Sequence, residues 1–253
     1  MGNPLSTIRP IPVDPDACHD SAVRRIFPAP EHDLGPDGLD ELYGAPRLRT
    51  AQRPWVGVCM IASLDGSTAV DGRSTGLGND GDRAVFAALR RAADVVVVGA
   101  ATVRAECYGA PRKPGQRIGV VTASGDVDLS GELFASGAGF LIMPEDGPTP
   151  LTRSIDVVRA GRGRADLAAG LARLDDIMDP PTFVQSEGGP RLNAALVDAG
   201  CVDEIDLTVA PLVTGGPGSR IVEGSEDALV AFALAHTLVD GDGYLFTRWV
   251  RRD

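Results

Sequence analysis

Lysine is all but missing from this 253-residue chain: Lys113 is the sole one, and arginine carries the rest of the positive charge. With abundant Ala and Gly, that bias reads as the mark of a GC-rich genome rather than a functional demand. Positive charge is short overall. The formal net charge of −11 argues against a nucleic-acid-binding surface, so an anionic ligand must meet a local basic patch. Cysteine is sparse too. Cys18, Cys59, Cys107 and Cys201 form no C-x-x-C pair, which excludes a disulfide or zinc framework and fits the free thiols of a cytoplasmic protein. Cys59 and Cys201, in apolar contexts, are expected as core fillers. His19, His32 and His236 are equally scattered, so no metal site is expected. No run reaches the ~20 apolar residues of a membrane span, and the N-terminus lacks the basic-then-apolar order of a signal peptide. The opening Met-Gly-Asn-Pro-Leu-Ser fits a myristoylation pattern too short to weigh. No G-x-G-x-x-G follows the first long strand, and no G-x-x-x-x-G-K-[ST] occurs. An ordinary Rossmann domain and a P-loop NTPase are thereby disfavoured.

What remains, 43% hydrophobic and 23% charged, is the composition of a globular protein able to bury a sizeable core. The stretch from Thr182 to Ala199 organises it. A short β-prone run leads into Ser186-Glu187-Gly188-Gly189, and Pro190 opens a helical pattern of Leu192, Ala195, Leu196 and Ala199 closed by Gly200. Proline suits the first helical turn, and two glycines before it let a ligand approach the backbone. The stretch reads as a phosphate cradle or as a bare strand-to-helix turn.

Residues 1–53, rich in Pro, Asp and Gly, read as an arm around the main domain or a loose extension, with one helical turn at Leu39, Leu42 and Tyr43. The domain is expected over 54–253. Trp55 to Ala62 forms a buried strand, Asp65-Gly66 a turn, and Ser67 to Val70 continues extended. A polar loop carrying Ser74 precedes a helix over Asp82 to Ala92 that packs Val85, Phe86 and Leu89 inward. Asp94 to Val98 is the strongest strand, ending at Gly99-Ala100-Ala101-Thr102 before a short helix. Arg117 to Ala123, Gly139 to Met143, Ile155 to Val158 and Glu204 to Ala210 read as further strands, with a helix at Asp166 to Leu174. Leu229 to Val239 and Tyr244 to Val250 pair as a hairpin across Asp240 to Gly243. Alternating strands and helices predict an α/β fold, with ligands at the carboxyl ends of strands: Gly99 to Thr102, Thr122 to Ser124 and Ser186 to Gly189.

Five segments occur in order: Ala62-Ser-Leu-Asp-Gly66, Val98-Gly-Ala-Ala-Thr-Val-Arg-Ala-Glu106, Glu187-Gly-Gly-Pro190, Leu196-Val-Asp-Ala-Gly-Cys-Val-Asp-Glu204, and Ala210-Pro211 with Gly215. Together they resemble the pyrimidine reductase domain of riboflavin biosynthesis, from about Arg53 to the C-terminus. The resemblance implies a dihydrofolate-reductase-like three-layer α/β/α fold with a mostly parallel central sheet and a C-terminal antiparallel hairpin. It implies NADPH as hydride donor, a ribosylaminopyrimidine phosphate as small-molecule substrate, and a homodimer. By position, Ala62, Thr102, Glu106 and Ser124 match cofactor contacts, as does the helix start Gly188, Gly189, Pro190, Arg191 and Leu192; Gly99 joins them from its strand end. Ser74, Arg90 and Glu187 match substrate contacts, and Arg112 is a candidate for the substrate phosphate. Glu187 and Asp65 are the catalytic candidates, Glu187 by holding the pyrimidine N–H groups and Asp65 as an acid or a turn former. Ser124 with Arg104, Arg112, Lys113 and Arg117 would favour a 2′-phosphate.

Two departures stand out. The first 53 residues contain neither H-x-E nor P-C-x-x-C, so a stand-alone reductase without a zinc deaminase domain is expected. The loop after Ser74 reads Thr75-Gly76-Leu77 where many members carry a tryptophan. A pterin reductase on the same scaffold and a non-catalytic NADPH-binding protein remain the rival readings.

Overall fold

Seen from the chain's start, β1 (Val23–Phe27) and β2 (Glu31–Leu34) pair and lead to α1 (Pro36–Tyr43). Then β3 (Trp55–Ser63), α2 (Asp80–Ala92), β4 (Val95–Gly99), α3 (Ala100–Glu106), β5 (Arg117–Val121), α4 (Glu132–Ala135), β6 (Gly139–Met143) and β7 (Val157–Arg159) follow. The chain closes with α5 (Leu167–Ala172), β8 (Phe183–Ser186), α6 (Pro190–Asp198), β9 (Glu204–Ala210), β10 (Phe232–Val239) and β11 (Leu245–Arg251). The computed structural model describes residues 23–28, 31–150, 155–226 and 229–252; Cys18, His19 and the N-terminal hexapeptide lie outside them.

All strands join one 11-stranded sheet in the order β2-β1-β10-β11-β9-β3-β8-β4-β5-β6-β7. From β9 to β7 the pairs are parallel; from β2 to β9 they are antiparallel. The expected hairpin is therefore real, and the segment before Trp55 adds two strands beyond it that its Pro- and Gly-rich sequence did not announce.

The period-2 alternation of a strand explains the layers. Val95 and Val97 of β4 face α5 and α6, packing with Val56, Val184, Leu192 and Leu196. Val96 and Val98 face the other side, with Ile118, Leu133 and Leu141. A strand buried on both faces must be apolar throughout, and β4 is. Farther along the sheet, α1 and α2 cover Ile61, Ala210, Leu238 and Phe246 with Leu39, Tyr43, Val85 and Leu89. Helix α2 starts where the Asn79 side chain accepts from Asp82 N–H at 2.9 Å, with Asp80 and Asp82 in its first turn and Arg90 and Arg91 in its last. Both ends suit the helix dipole.

Ser67 to Val70 lies outside the sheet: the Thr68 N–H donates to Ser219 O of a distant loop, and Val70 makes an isolated bridge to Arg73. One local expectation fails: Phe86 is no core residue. Val85, Ala88 and Leu89 fill the α2 core stripe, and Phe86 turns toward the cavity described next.

Candidate active site

A cavity of about 630 Å³ opens at the carboxyl ends of β3, β4 and β8, between α2, α3 and the start of α6. Its centre is Glu187, just past β8. The Glu187 N–H bonds Val97 O at 3.0 Å, which fixes the backbone against β4. Arg90, from the last turn of α2, grips the carboxylate with two 2.6 Å bonds, Nε to Oε1 and Nη2 to Oε2. Tyr108 Oη donates to Oε2 at 2.6 Å and Gln185 Nε2 to Oε1 at 3.1 Å. The guanidinium carbon lies 4.6 Å from the Phe86 ring centroid and 5.4 Å from that of Tyr108. Burial opposes the charge on Arg90, but the Glu187 carboxylate more than offsets it and raises the arginine's pKa. Burial and the Glu187 charge together push the Tyr108 hydroxyl well above its usual range. It therefore stays a donor.

Glu106, last in α3, accepts from Ser74 N–H at 2.9 Å and Ser74 Oγ at 3.0 Å, and from Thr75 Oγ1 at 3.4 Å. It thus pins the polar loop over the cavity. Leu77, in the segment that departs from the tryptophan pattern, is wholly buried under α2. Asp82, from the first turn of α2, also lines the cavity. Burial raises its pKa, against the Thr208 hydroxyl bond and the Arg83 charge.

The helix start has the room a phosphate needs. Gly188 takes φ +71°, and the Gly188–Gly189 peptide is cis. A Cβ at Gly188 would come 2.8 Å from Met60 Sδ, and one at Gly189 would come 2.9 Å from Thr102 Oγ1. The Gly99 N–H donates to Gly188 O at 2.7 Å, so both strand-to-helix junctions are stitched together. No side chain caps α6, and the Gly189 and Arg191 N–H groups meet no acceptor among the described residues.

Of the residues singled out in the sequence, Ser74, Arg90, Thr102, Glu106, Glu187, Gly189 and Pro190 line this one cavity. Gly99 and Gly188 lie directly behind it. Ala62 and Leu192 are buried in the core at 6% and 7% exposure, and Met60 and Ile61 stand at the wall instead. Arg191 and Arg112 are exposed outside the wall, as is Ser124, whose Oγ accepts from Asp126 N–H. Asp65 also lies outside: its carboxylate accepts from Ser63 Oγ at 2.5 Å and Gly215 N–H at 2.7 Å. The basic neighbourhood expected for Ser124 needs correction. Lys113 binds Arg91 O and Ala93 O, and Arg117 binds Ile177 O and Asp156, all at the amino ends of the strands. Arg104 alone reaches the Ser124 turn, through Asp126.

Sequence reasoning missed Asp82, Phe86, Tyr108, Gln185 and Cys59. One signal existed: Asp82, Phe86 and Arg90 are four residues apart, one stripe of a helix. Cys59, expected in the core, is half-buried at the cavity wall. Among the described residues no group of three or more His, Cys, Asp or Glu is arranged to hold a metal, and no helix is long and apolar enough to cross a membrane.

Residues 54–246 match the family model described as RibD C-terminal domain. The chain belongs to that family. A 2,5-diamino-6-ribosylamino-4(3H)-pyrimidinone 5′-phosphate reductase of Methanothermobacter thermautotrophicus is 28% identical over 206 residues, 76% of this chain and 86% of that protein. The riboflavin biosynthesis protein RibD of Mycobacterium tuberculosis is 28% identical over 167 residues, 63% of this chain but 42% of that longer protein. Among solved structures, a pyrimidine reductase-like protein of Corynebacterium diphtheriae superposes with TM-score 0.71 at 23% identity, covering 85% of this chain and 99% of that one. A Saccharomyces cerevisiae riboflavin biosynthesis reductase gives 0.65 at 17% identity, over 84% and 97%. The fold is theirs, dihydrofolate-reductase-like and mostly parallel.

Proposed function

We propose that this protein is an NADPH-dependent oxidoreductase that reduces a ribosylaminopyrimidine phosphate of the riboflavin pathway at C1 of the opened ribose. The observation that carries the reading is the cavity itself. It joins the uncapped start of α6 and Thr102 on one side to the Glu187–Arg90 pair and Ser74 on the other. The name of the methanogen relative supports the substrate class.

The glycine junction fits a dinucleotide: a Cβ at Gly189 would fill the space beside Thr102, and the free N–H groups at the start of α6 suit a pyrophosphate. When bound, a reduced nicotinamide supplies hydride to the substrate carbon. The chain's own part is orientation and charge. Arg90 turns its exposed edge to the ring side of the substrate; Glu187, expected to hold the pyrimidine N–H groups, instead has both oxygens filled by Arg90, Tyr108 and Gln185 and holds Arg90 in place, and Ser74, tied to Glu106, closes the loop over the ligand. Asp65, in this reading, holds a turn and takes no part in chemistry. Preference for NADPH over NADH rests on Ser124 and Arg104 alone, and equal dissociation constants for the two cofactors would remove it.

The same reading makes the protein a homodimer. Alternation along β9 and β11 turns Leu207 and Trp249, both partly exposed, away from the face that α1 and α2 cover. Sedimentation at micromolar concentration tests this, and a monomer would sink it. Steady-state NADPH oxidation tests the function. Turnover with the ribosylaminopyrimidine phosphate supports it, turnover with dihydrofolate alone supports a pterin reductase, and tight binding without turnover a sensor.

A further inference from the structure

The Glu187 carboxylate has no lone pair left for a ligand. Arg90 Nε and Gln185 Nε2 donate to Oε1, and Arg90 Nη2 and Tyr108 Oη donate to Oε2, which fills both acceptor sites of each oxygen. Three of these bonds come from regular elements: Arg90 stands in the last turn of α2, and Gln185 is 1% exposed inside β8. The fourth comes from a loop. Helix α3 ends at Glu106, Cys107 caps it with a left-handed φ of +54°, and the next residue, Tyr108, lies at the cavity wall. Without that one hydroxyl, Oε2 would regain an open lone pair beside the cavity. Arg90 is the opposite case. A guanidinium carries five N–H donors. Nε and Nη2 give one each to Glu187, and the remainder have no acceptor among the described residues besides the Tyr108 oxygen. The arginine side chain is 31% exposed. The wall shared by Glu187, Arg90 and Tyr108 therefore has donors to spare and no free carboxylate oxygen.

We propose that Tyr108 is a specificity-determining residue: its hydroxyl closes Glu187 to ligands, so that this wall takes a ring carbonyl through Arg90 and turns an amino group away. This rests on the pyrimidine-reductase reading above and says which edge of the ring the wall accepts. A carbonyl set against the free edge of Arg90 gains a charge-assisted bond. An amino group in the same place meets only donors, gives up its water and is left unpaired. Tyr108 thus decides the polarity of the wall without touching the glutamate's charge. A phenylalanine there would keep the ring beside Arg90 but hand one oxygen of Glu187 to the ligand.

Uracil and cytosine are the probes. At position 4 the first carries a carbonyl and the second an amino group, and the adjacent ring nitrogen changes from donor to acceptor. Their affinities for the full chain are read by ligand-observed NMR titration at neutral pH. The readout is the ratio of the two on one sample, which partial unfolding of a variant does not move. Tyr108→Phe is expected to shift the ratio toward cytosine by about 10-fold, the scale of one hydrogen bond to a charged group. Tyr108→Leu, which loses the ring as well, shifts it in the same direction. In a Glu187→Met background there is no oxygen to open, so adding Tyr108→Phe leaves the ratio where Glu187→Met alone puts it. A ratio that stays put or moves toward uracil in Tyr108→Phe, or the same shift with and without Glu187, overturns the proposal. NADPH oxidation with the ribosylaminopyrimidine phosphate is measured alongside on wild type. If the ratios move as expected but the phosphate is not reduced, the reductase reading fails and the assignment of Tyr108 stands; turnover with an unmoved ratio gives the reverse.

Discussion

The molecule contains two buried glutamates held by arginine, and they sit in very different surroundings. Glu187 meets Arg90 at the cavity wall, with 2% of its own side chain exposed and 31% of the arginine's. Glu204, at the start of β9, is gripped by Arg47 at 2.7 and 3.1 Å, Arg248 at 2.8 Å and the Trp55 indole N–H at 3.0 Å, with no exposure at all. Arg47 closes the lid, its guanidinium stacked 3.8 Å from the Phe183 ring centroid and hydrogen-bonded to Tyr43 O. Burial works against the Glu204 charge, yet Arg47 and Arg248 overcome it and hold its pKa below the usual carboxylate range. Beside it, burial and the Glu204 charge push the Asp206 carboxyl the other way. The chemistry of the two pairs is alike. What separates a site from a structural clamp here is access: one arginine has an edge left for a ligand, and the other has none.

The largest effect expected from breaking this comparison is at the sealed pair. Glu204→Gln leaves Arg47 and Arg248 buried without their counter-charge, a loss of about 3–5 kcal/mol. Denaturant midpoints measure it, with kcat per folded molecule unchanged. A loss under about 1 kcal/mol, the range of exposed ion pairs, would mean that the cluster reaches water after all.

Glu187→Gln is the matching change at the open pair, and its cost belongs in catalysis. Arg90 can turn to solvent, so stability falls less, while kcat/KM should drop about 100-fold, as when a positioned charged partner is removed from an active site. Steady-state kinetics and melting on the same sample separate the two. Wild-type kcat/KM with lowered stability would make Glu187 a second structural clamp.

The two pairs also differ in how legible they were. Glu187 stood in a Gly-Gly-Pro context that signals a strand-to-helix junction, and Arg90 on the helix before a strong strand, so both could be named from order along the chain. Their bond joins residues 97 positions apart, and no periodicity carries that. Glu204 looked like an ordinary strand residue. Its partner Arg47 comes from a Pro-rich segment whose composition speaks for loose chain, and the pairing spans 157 positions. β1 and β2 were missed for the same reason: β2 pairs with β1, and β1 joins the sheet through β10, across most of the sequence. Where local patterning decides an element, as in β4 or α6, sequence sufficed. The choice of which helix stripe faces a cavity rather than the core was not local, and Asp82 and Phe86 were lost with it.

A smaller effect is expected at the glycine junction. The left-handed φ belongs to Gly188, at +71°, while Gly189 has φ −74°. Gly189→Val therefore carries no penalty of backbone hand. Its side chain instead presses on Thr102 Oγ1 and fills the space in front of the α6 N–H groups. NADPH affinity should fall about 10-fold or further, the scale of a lost good contact in a fitted pocket, with a modestly lowered melting temperature. A lowered melting temperature with wild-type NADPH affinity would reduce the junction to a bare turn.

The smallest effect is expected at Asp65, a carboxylate that is exposed and yet well satisfied. Ser63 Oγ donates to it at 2.5 Å, and the Thr214 and Gly215 N–H groups at 3.2 and 2.7 Å. These bonds, the Ser63 hydroxyl foremost, hold its pKa at about 2. Such a group has no proton to give near neutrality and no lone pair turned to the cavity, so it is a poor acid and a poor ligand contact. Its work is to staple the loop at 214–215 to the turn after β3. A carboxylate with a depressed pKa lends its order above its unfolded value and loses it as the pH falls toward the folded one. The Gly215 amide signal should accordingly titrate with a midpoint of about 2 in wild type and stay flat in Asp65→Asn. Turnover by that variant should remain within about twofold of wild type, as for surface substitutions away from a site. If Asp65→Asn keeps its fold but loses turnover on the scale expected for Glu187→Gln, Asp65 touches the chemistry, and the cavity wall extends past Ile61 to the turn.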